Sequence, residues 1–213
     1  MRTLQFTAKH FLANQLAHPS GFFGQLVMGR FLNRITSNHN TLVLAELALA
    51  DTDSVLEVGF GGGALLARIL KQVPRGSVAG IDISEEMVAM VASRFRPLVA
   101  SGQLNLCQCS ITALPYPDAH FNKACSVNTV YFWPDLASGL AEFARVLRAG
   151  GRLVLGYTSD TEMRRAGLDQ HGFRPYSTDE LERALTENGF RPAEARSGSD
   201  ARGTFYALAA ERM

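Results

Sequence analysis

Cysteine is scarce: Cys107, Cys109 and Cys125 are the only three in 213 residues. Three thiols cannot close a full disulfide set, and no Cys-x-x-Cys or Cys/His spacing supplies a structural zinc site. They read as reduced, mostly buried small residues. Surplus charge is lacking too, with 21 Lys plus Arg against 20 Asp plus Glu and a formal charge of +1. No global field is available to hold a polyanion, so nucleic acid is not an expected partner. Long apolar runs are also missing. The greasiest stretch, Thr41 to Ala50, contains Glu46 and falls far below the ~20 residues that cross a bilayer. Lys9 and His10 interrupt the N-terminus where a secretory signal needs an apolar run of about 7 to 15 residues. The expectation is a cytoplasmic protein with no membrane span. Internal repeats and low-complexity tracts are absent. Hydrophobic residues at 46% and charged residues at 19% are ordinary globular usage. At roughly 100 to 200 residues per domain, the length suits one domain with a short extension.

Between residues 3 and 50, Phe23, Val27, Phe31 and Ile35 recur at four-residue steps, one face of a helix. Thr36, Ser37 and Asn38 offer N-caps for a further helix carrying Leu42 to Leu49. Residues 1–45 therefore read as a helical extension and 46–213 as the main domain. From residue 53 the chain alternates β-like runs with helical periods: SVLEV then ALLARILKQV, SVAGIDI then EEMVAMVASRF, LNLCQC, KACSVNTV then LASGLAEFARVL, and RLVLGYT. Such alternation predicts an α/β fold, a doubly wound, mostly parallel sheet with helices on both faces. Ser177-Thr178-Asp179-Glu180 fits a capping box opening a helix that Asn188-Gly189 closes, and Thr204 to Ala210 supplies a last strand.

After the first strand comes Glu57-Val58-Gly59-Phe60-Gly61-Gly62-Gly63 and then a helix. Glycines let the chain turn sharply there and let backbone approach a ligand. The pattern Gly59-x-Gly61-x-x-Ala64 also satisfies the nicotinamide fingerprint, so on the loop alone an NAD(P)-dependent oxidoreductase stays open. The next strand ends Gly80-Ile81-Asp82-Ile83-Ser84, placing a carboxylate at the carboxyl edge of the sheet where it can accept both hydroxyls of a ribose. The alternative for Asp82, capping the helix near Glu85, is one that Ser84 can fulfil unaided.

Two further segments, Leu114-Pro115-Tyr116-Pro117-Asp118 with Phe121, and Arg145-Val146-Leu147-Arg148-Ala149-Gly150-Gly151-Arg152-Leu153-Val154, complete a recognisable order. Together with the glycine loop and the Asp82 strand, they make the chain resemble class I S-adenosylmethionine-dependent methyltransferases of the small-molecule type, related to the ubiquinone and menaquinone C-methyltransferases. The resemblance covers about residues 45 to 210. It implies a seven-stranded Rossmann-like sheet whose last strand is antiparallel, and S-adenosyl-L-methionine as cofactor. Carried over by position, it places Gly59, Phe60, Gly61 and Gly63 under the cofactor, Glu57 near its methionine ammonium and Asp82 on the ribose hydroxyls. Ile83 and Met87 would flank the adenine, Ser110 and Ile111 would meet its amino edge, and Ser126, Val127 and Asn128 would run past the methionine end. Many relatives carry an acid where this chain has Ser110, and an Asp where it has Asn122, a position expected to bear on stability. A non-catalytic regulator that binds the same cofactor is the remaining alternative.

A sulfonium methyl is already activated for in-line displacement onto oxygen, nitrogen or carbon of a small organic acceptor, so neither a covalent nucleophile nor a metal site is expected. A general base is needed only where the acceptor must lose a proton. Candidates are His18, if the extension folds over the sheet edge, His171, in the segment where relatives carry substrate contacts, and Tyr131 as a positioner. His39 reads as a helix-start residue and His120 as a solvated loop residue. Tyr131-Phe132-Trp133 supplies flat apolar surface at the pocket mouth, with Phe132 expected in the core if the strand continues. Arg145, Arg148 and Arg152 read as a solvated helix end rather than a site for an acidic partner. A homodimer is compatible with the sequence.

Overall fold

The computed structural model describes residues 37–171, 173–200 and 203–213. The helical periods read over Phe23 to Ile35 lie outside the described residues, as does His18. Helix α1 (Ser37–Leu47) leads into strand β1 (Ser54–Val58), α2 (Ala64–Gln72), β2 (Ser77–Asp82), α3 (Glu85–Arg94), α4 (Arg96–Ala100) and β3 (Leu104–Gln108). Then follow β4 (Phe121–Val127), a 3-10 turn (Val130–Phe132), α5 (Leu136–Val146) and β5 (Leu147–Thr158). The chain continues through α6 (Asp160–Arg165), a 3-10 turn (Leu168–His171), α7 (Thr178–Glu187), β6 (Phe190–Pro192), β7 (Arg196–Asp200) and β8 (Gly203–Arg212).

One sheet runs β3-β2-β1-β4-β5-β8-β6, with β7 also paired to β8. The first five strands are parallel, and β8 enters antiparallel to β5 from Arg152↔Glu211 to Thr158↔Phe205. Strand β6 takes the Ala210 to Arg212 end of the other β8 edge, and β7 takes the Gly203 to Ala207 end. The two are halves of one interrupted position, which reconciles eight strands with a seven-position sheet. Neither half is visible in the sequence: Phe190-Arg191-Pro192 is too short and ends in proline, and RSGSD has no apolar alternation.

Alternation along β1 sends Leu56 and Val58 to one hydrophobic layer and Val55 to the other, and both layers are covered. The first layer packs Leu140 and Phe143 of α5 and Leu181 and Leu185 of α7 against the sheet. The second receives Leu66 and Ile69 of α2, Val91 of α3, and Val43, Leu44 and Leu47 of α1. Fully burying each such side chain stabilises the fold by about 1.5–3 kcal/mol. Helix starts follow local chemistry. Ser84 accepts from the Met87 N–H, Asp135 from the Ser138 N–H, and Ser177 forms a capping box with Glu180 before α7. Asn188 and Gly189, at φ +81, end that helix.

The arginine cluster is absorbed by the chain itself. Arg145 donates to Glu142 and Asp118 and to the Leu114 and Tyr116 carbonyls, fastening the loop before β4 to α5. Arg148 donates to the Ala119 and His120 carbonyls, and Arg152 reaches the Glu46 carbonyl and carboxylate at the end of α1. Asn122 ties β4 to the start of β1: its Oδ1 accepts from the Ser54 N–H at 2.6 Å and its Nδ2 donates to Asp53. His120 is exposed and stacks on Tyr116. Among the described residues, no helix is long and apolar enough to cross a membrane.

Candidate functional site

The strand order reverses at β1, which has β2 on one side and β4 on the other. At such a switch point the connections diverge to opposite faces and leave a crevice at the carboxyl ends of the strands. A cavity of about 470 Å³ lies there, walled by the segment from Glu57 to Leu65 without Gly63, by Ile81 to Ile83, and by Val127 to Thr129. Met87, the stretch Cys109 to Ile111, Phe132 to Pro134, and Asn40 of α1 complete it.

Two glycines of the loop have separate physical reasons. Gly59 adopts φ +75, and a Cβ there would stand 2.3 Å from the Thr129 Cγ2. Thr129 cannot swing aside freely, because its Oγ1 is engaged by the Ser126 hydroxyl and accepts from the Trp133 indole N–H at 3.1 Å. Gly61, at φ +49, meets nothing within 4 Å and keeps the loop surface open to the cavity. Gly59→Ala should therefore destabilise the protein by about 2 kcal/mol or more, through the left-handed backbone and the Thr129 clash together. Thermal denaturation measures this; a melting temperature equal to that of the parent would contradict the packing described.

Asp82 ends β2 with both carboxylate oxygens fixed by backbone. Gly61 N–H donates to Oδ2 at 2.8 Å and Ser84 N–H to Oδ1 at 3.0 Å. Burial raises its pKa, and these backbone donors partly offset the rise. Each oxygen keeps a lone pair for a ligand donor. Glu57 is 3% exposed, and its Oε2 is buried without a hydrogen-bond partner among the described residues. Desolvation, with the nearby Asp82 charge second, pushes its pKa up to about 8. A buried, unpartnered carboxylate facing a cavity fits a cationic ligand group, which would supply the missing partner.

Of the residues singled out from sequence, Glu57, Gly59, Phe60, Gly61, Asp82, Ile83, Met87, Ser110, Ile111, Val127 and Asn128 come together on this cavity. Ile83 stands 49% exposed at the rim. The Ser110 hydroxyl pairs with that of Thr112, 2.9 Å away, and accepts from the Thr112 N–H. Three others are not on the wall. Gly63 is the left-handed N-cap of α2, and a Cβ there would meet Val91 of α3 at 3.2 Å, so it serves helix packing. Ser126 is buried and donates to the Val58 carbonyl, tying β4 to β1. Tyr131 sits one layer behind the cavity, its hydroxyl 3.3 Å from the Thr158 carbonyl and accepting from the Thr158 N–H. Burial raises its pKa, which keeps the phenol protonated. His171 closes the 3-10 turn from Leu168, and its side chain lies outside what the structure describes.

The expected partition of the aromatic run is corrected: Phe132 lines the cavity and Tyr131 does not. Strand β4 stops at Val127, Asn128 turns at φ +57, and residues 130–132 coil into a 3-10 turn, so strand alternation no longer applies. Asn40, Thr129, Pro134 and Cys109 are wall residues that sequence reasoning missed. Asn40 carries no local signal, since only the packing of α1 on the sheet brings it there. Cys109 remains a neutral thiol, its pKa pushed up to about 12 by desolvation and by Cys107 beside it.

A family model described as a methyltransferase domain matches residues 55–151. An uncharacterised methyltransferase of Bacillus subtilis, YdaC, is 31% identical over 130 residues, spanning 61% of this chain and 70% of that protein. The ubiquinone/menaquinone biosynthesis C-methyltransferase UbiE of Syntrophotalea carbinolica is 33% identical over 139 residues, 65% of this chain and 56% of that one. Among solved structures, a SAM-dependent methyltransferase of Aquifex aeolicus superposes with a TM-score of 0.69 at 22% identity, covering 87% of this chain and 97% of its own.

Proposed function

This chain belongs to the methyltransferase-domain family, and from that premise we propose that it transfers a methyl group from S-adenosylmethionine to a small organic acceptor, at oxygen, nitrogen or carbon. The observation that carries the reading is the pairing, in one cavity, of Asp82, held by two backbone N–H groups, with Glu57, whose buried Oε2 has no partner among the described residues. The first suits a vicinal diol and the second an ammonium, and a cofactor built on a ribose and an amino acid carries both.

When bound, that cofactor supplies a methyl group already activated by its sulfonium. The chain's own part is to bind, orient and exclude water. Asp82 accepts the ribose hydroxyls, Glu57 accepts from the ammonium, and the loop from Gly59 to Gly62 lies under the ligand without side-chain obstruction at Gly61. Phe132 and Trp133 offer apolar surface to the reacting end, which suits an aromatic or lipid-like acceptor. UbiE, among the relatives, is by its name a C-methyltransferase of ubiquinone/menaquinone biosynthesis.

Calorimetric titration with S-adenosylhomocysteine and with NAD tests the cofactor, and incubation of metabolite extracts with methyl-labelled S-adenosylmethionine tests the transfer. Saturable S-adenosylhomocysteine binding together with a labelled small molecule is expected. NAD binding in its place, or tight cofactor binding with no label transferred across a broad acceptor panel, would overturn the reading.

A further inference from the structure

His39, in the first turn of α1, is 2% exposed and lies between β8 and the end of β4. Its Nε2 is 2.9 Å from the carbonyl oxygen of Tyr206. A carbonyl can only accept, so Nε2 carries the proton, and in the neutral ring Nδ1 is left with a lone pair. That nitrogen is 3.1 Å from Nδ2 of Asn128, which donates to it. The tautomer thus fixes the amide: Oδ1 of Asn128 is turned toward the hydroxyls of Tyr131 and Thr158, each 3.4 Å away and each able to donate. The contact is built into the fold. Gly156 leaves room where α1 crosses β5, since a Cβ there would come within 3.2 Å of the His39 Nε2, and Phe205 packs on the imidazole with ring centroids 4.8 Å apart.

Asn128 lines the cavity, in a left-handed backbone conformation anchored by its N–H to the Gly156 carbonyl at 2.8 Å. Its Nδ2 has two hydrogens; one goes to His39, and the other has no protein partner among the described residues. We infer that His39 is a positioning residue whose Nδ1 holds the Asn128 side-chain amide as a hydrogen-bond donor to the carboxylate at the amino-acid end of the bound cofactor. This rests on the cofactor reading above. With the His39 acceptor removed, the Tyr131 and Thr158 hydroxyls, which can accept as well as donate, no longer distinguish the two ends of the amide, and the flipped form that turns Oδ1 to the ligand carboxylate becomes accessible.

The two ring nitrogens can be separated by substitution. Glutamine places an amide N–H near the position of Nε2 and keeps the Tyr206 anchor, whereas asparagine places an oxygen near the position of Nδ1 and keeps the acceptor for Asn128. For His39→Gln, a near-parental melting temperature is expected with S-adenosylhomocysteine bound about tenfold more weakly, the size of one charge-assisted hydrogen bond. His39→Asn should melt lower yet bind within about threefold of the parent. Neither variant should alter binding of 5′-methylthioadenosine, which lacks the amino-acid portion. In the double variant with Asn128→Ala, His39→Gln should add nothing to the loss from Asn128→Ala alone. A His39→Gln protein with parental affinity, a loss that extends equally to 5′-methylthioadenosine, or additive losses in the double variant would overturn the inference. Should His39→Gln not fold, His39→Asn and Asn128→Ala still decide it. Failure of the cofactor reading itself shows separately, as a parental protein that does not bind S-adenosylhomocysteine.

Discussion

Asp82→Ala is expected to raise the dissociation constant for S-adenosylhomocysteine by about 100-fold while leaving the protein folded. Two charge-assisted hydrogen bonds to ribose hydroxyls, at about 1.5–3 kcal/mol each, would be lost, and every 1.4 kcal/mol is a factor of ten. The substitution also releases the Gly61 and Ser84 N–H groups from their shared acceptor, so the glycine loop keeps only the Gly59 N–H bond to the Ile81 carbonyl as its backbone link to β2. The fold survives because burial already disfavours the Asp82 charge, and removing that charge offsets the two backbone bonds. Asp82→Asn is no conservative replacement. Both carboxylate oxygens accept from backbone N–H groups, so the amide nitrogen would face a donor on one side or the other. Titration calorimetry on protein of unchanged circular dichroism gives the answer, and affinity within about threefold of the parent in folded Asp82→Ala would remove the ribose assignment.

Glu57→Gln should move stability and binding in opposite directions. The carboxyl has a pKa near 8 in the folded protein and 4.5 ordinarily, with burial the main cause. Below pH 4.5 it is protonated in both folded and unfolded chains and contributes no pH dependence. As pH rises from 4.5 toward 8, the unfolded chain ionises while the folded one keeps its proton. Stability then falls by up to about 1.4 kcal/mol per pH unit, and the loss levels off above pH 8. Glutamine has no such slope. The variant should therefore match the parent near pH 4.5 and exceed it by up to about 5 kcal/mol at pH 8.5, as denaturant unfolding would show. Cofactor affinity should drop about tenfold or more, because an amide replaces the anion offered to the ammonium. A second sign follows from the same charge. Ligand binding favours ionised Glu57, so near pH 7 the parent should release a proton on binding and the variant should not. Titrations in buffers of different ionisation enthalpy detect that difference. A parent and variant with parallel stability profiles across pH 4.5–8.5 would contradict the buried-carboxyl description.

Much of the site was legible because its chemistry is written in adjacent residues. The loop from Glu57 to Gly63 and the strand end at Asp82 are each short runs in which residue type states the backbone requirement. The capping box at Ser177 and the stop at Asn188-Gly189 are equally local. What stayed hidden depends on groups far apart in the chain. The half-strands β6 and β7 exist because β8 offers them an edge, and their own residues show little β pattern. Tyr131 and Phe132 exchanged places because β4 ends at Val127 and a 3-10 turn resets the phase. Gly63, alike in type to its neighbours, faces Val91 of α3 rather than the cavity, a distinction set by helix packing.

By itself the sequence determined the alternating α/β order, the position of the glycine turn and the acid that follows it, since periodicity and turn chemistry act over a few residues. Only the tertiary structure decided that Glu57 would be buried with an unpartnered oxygen, that Asn40 would reach the cavity wall, and that His39 would grip an amide 89 positions away. Desolvation and long-range hydrogen bonds depend on which surfaces meet, and that is fixed when α1 packs across β4, β5 and β8, not by any neighbouring residue in the chain.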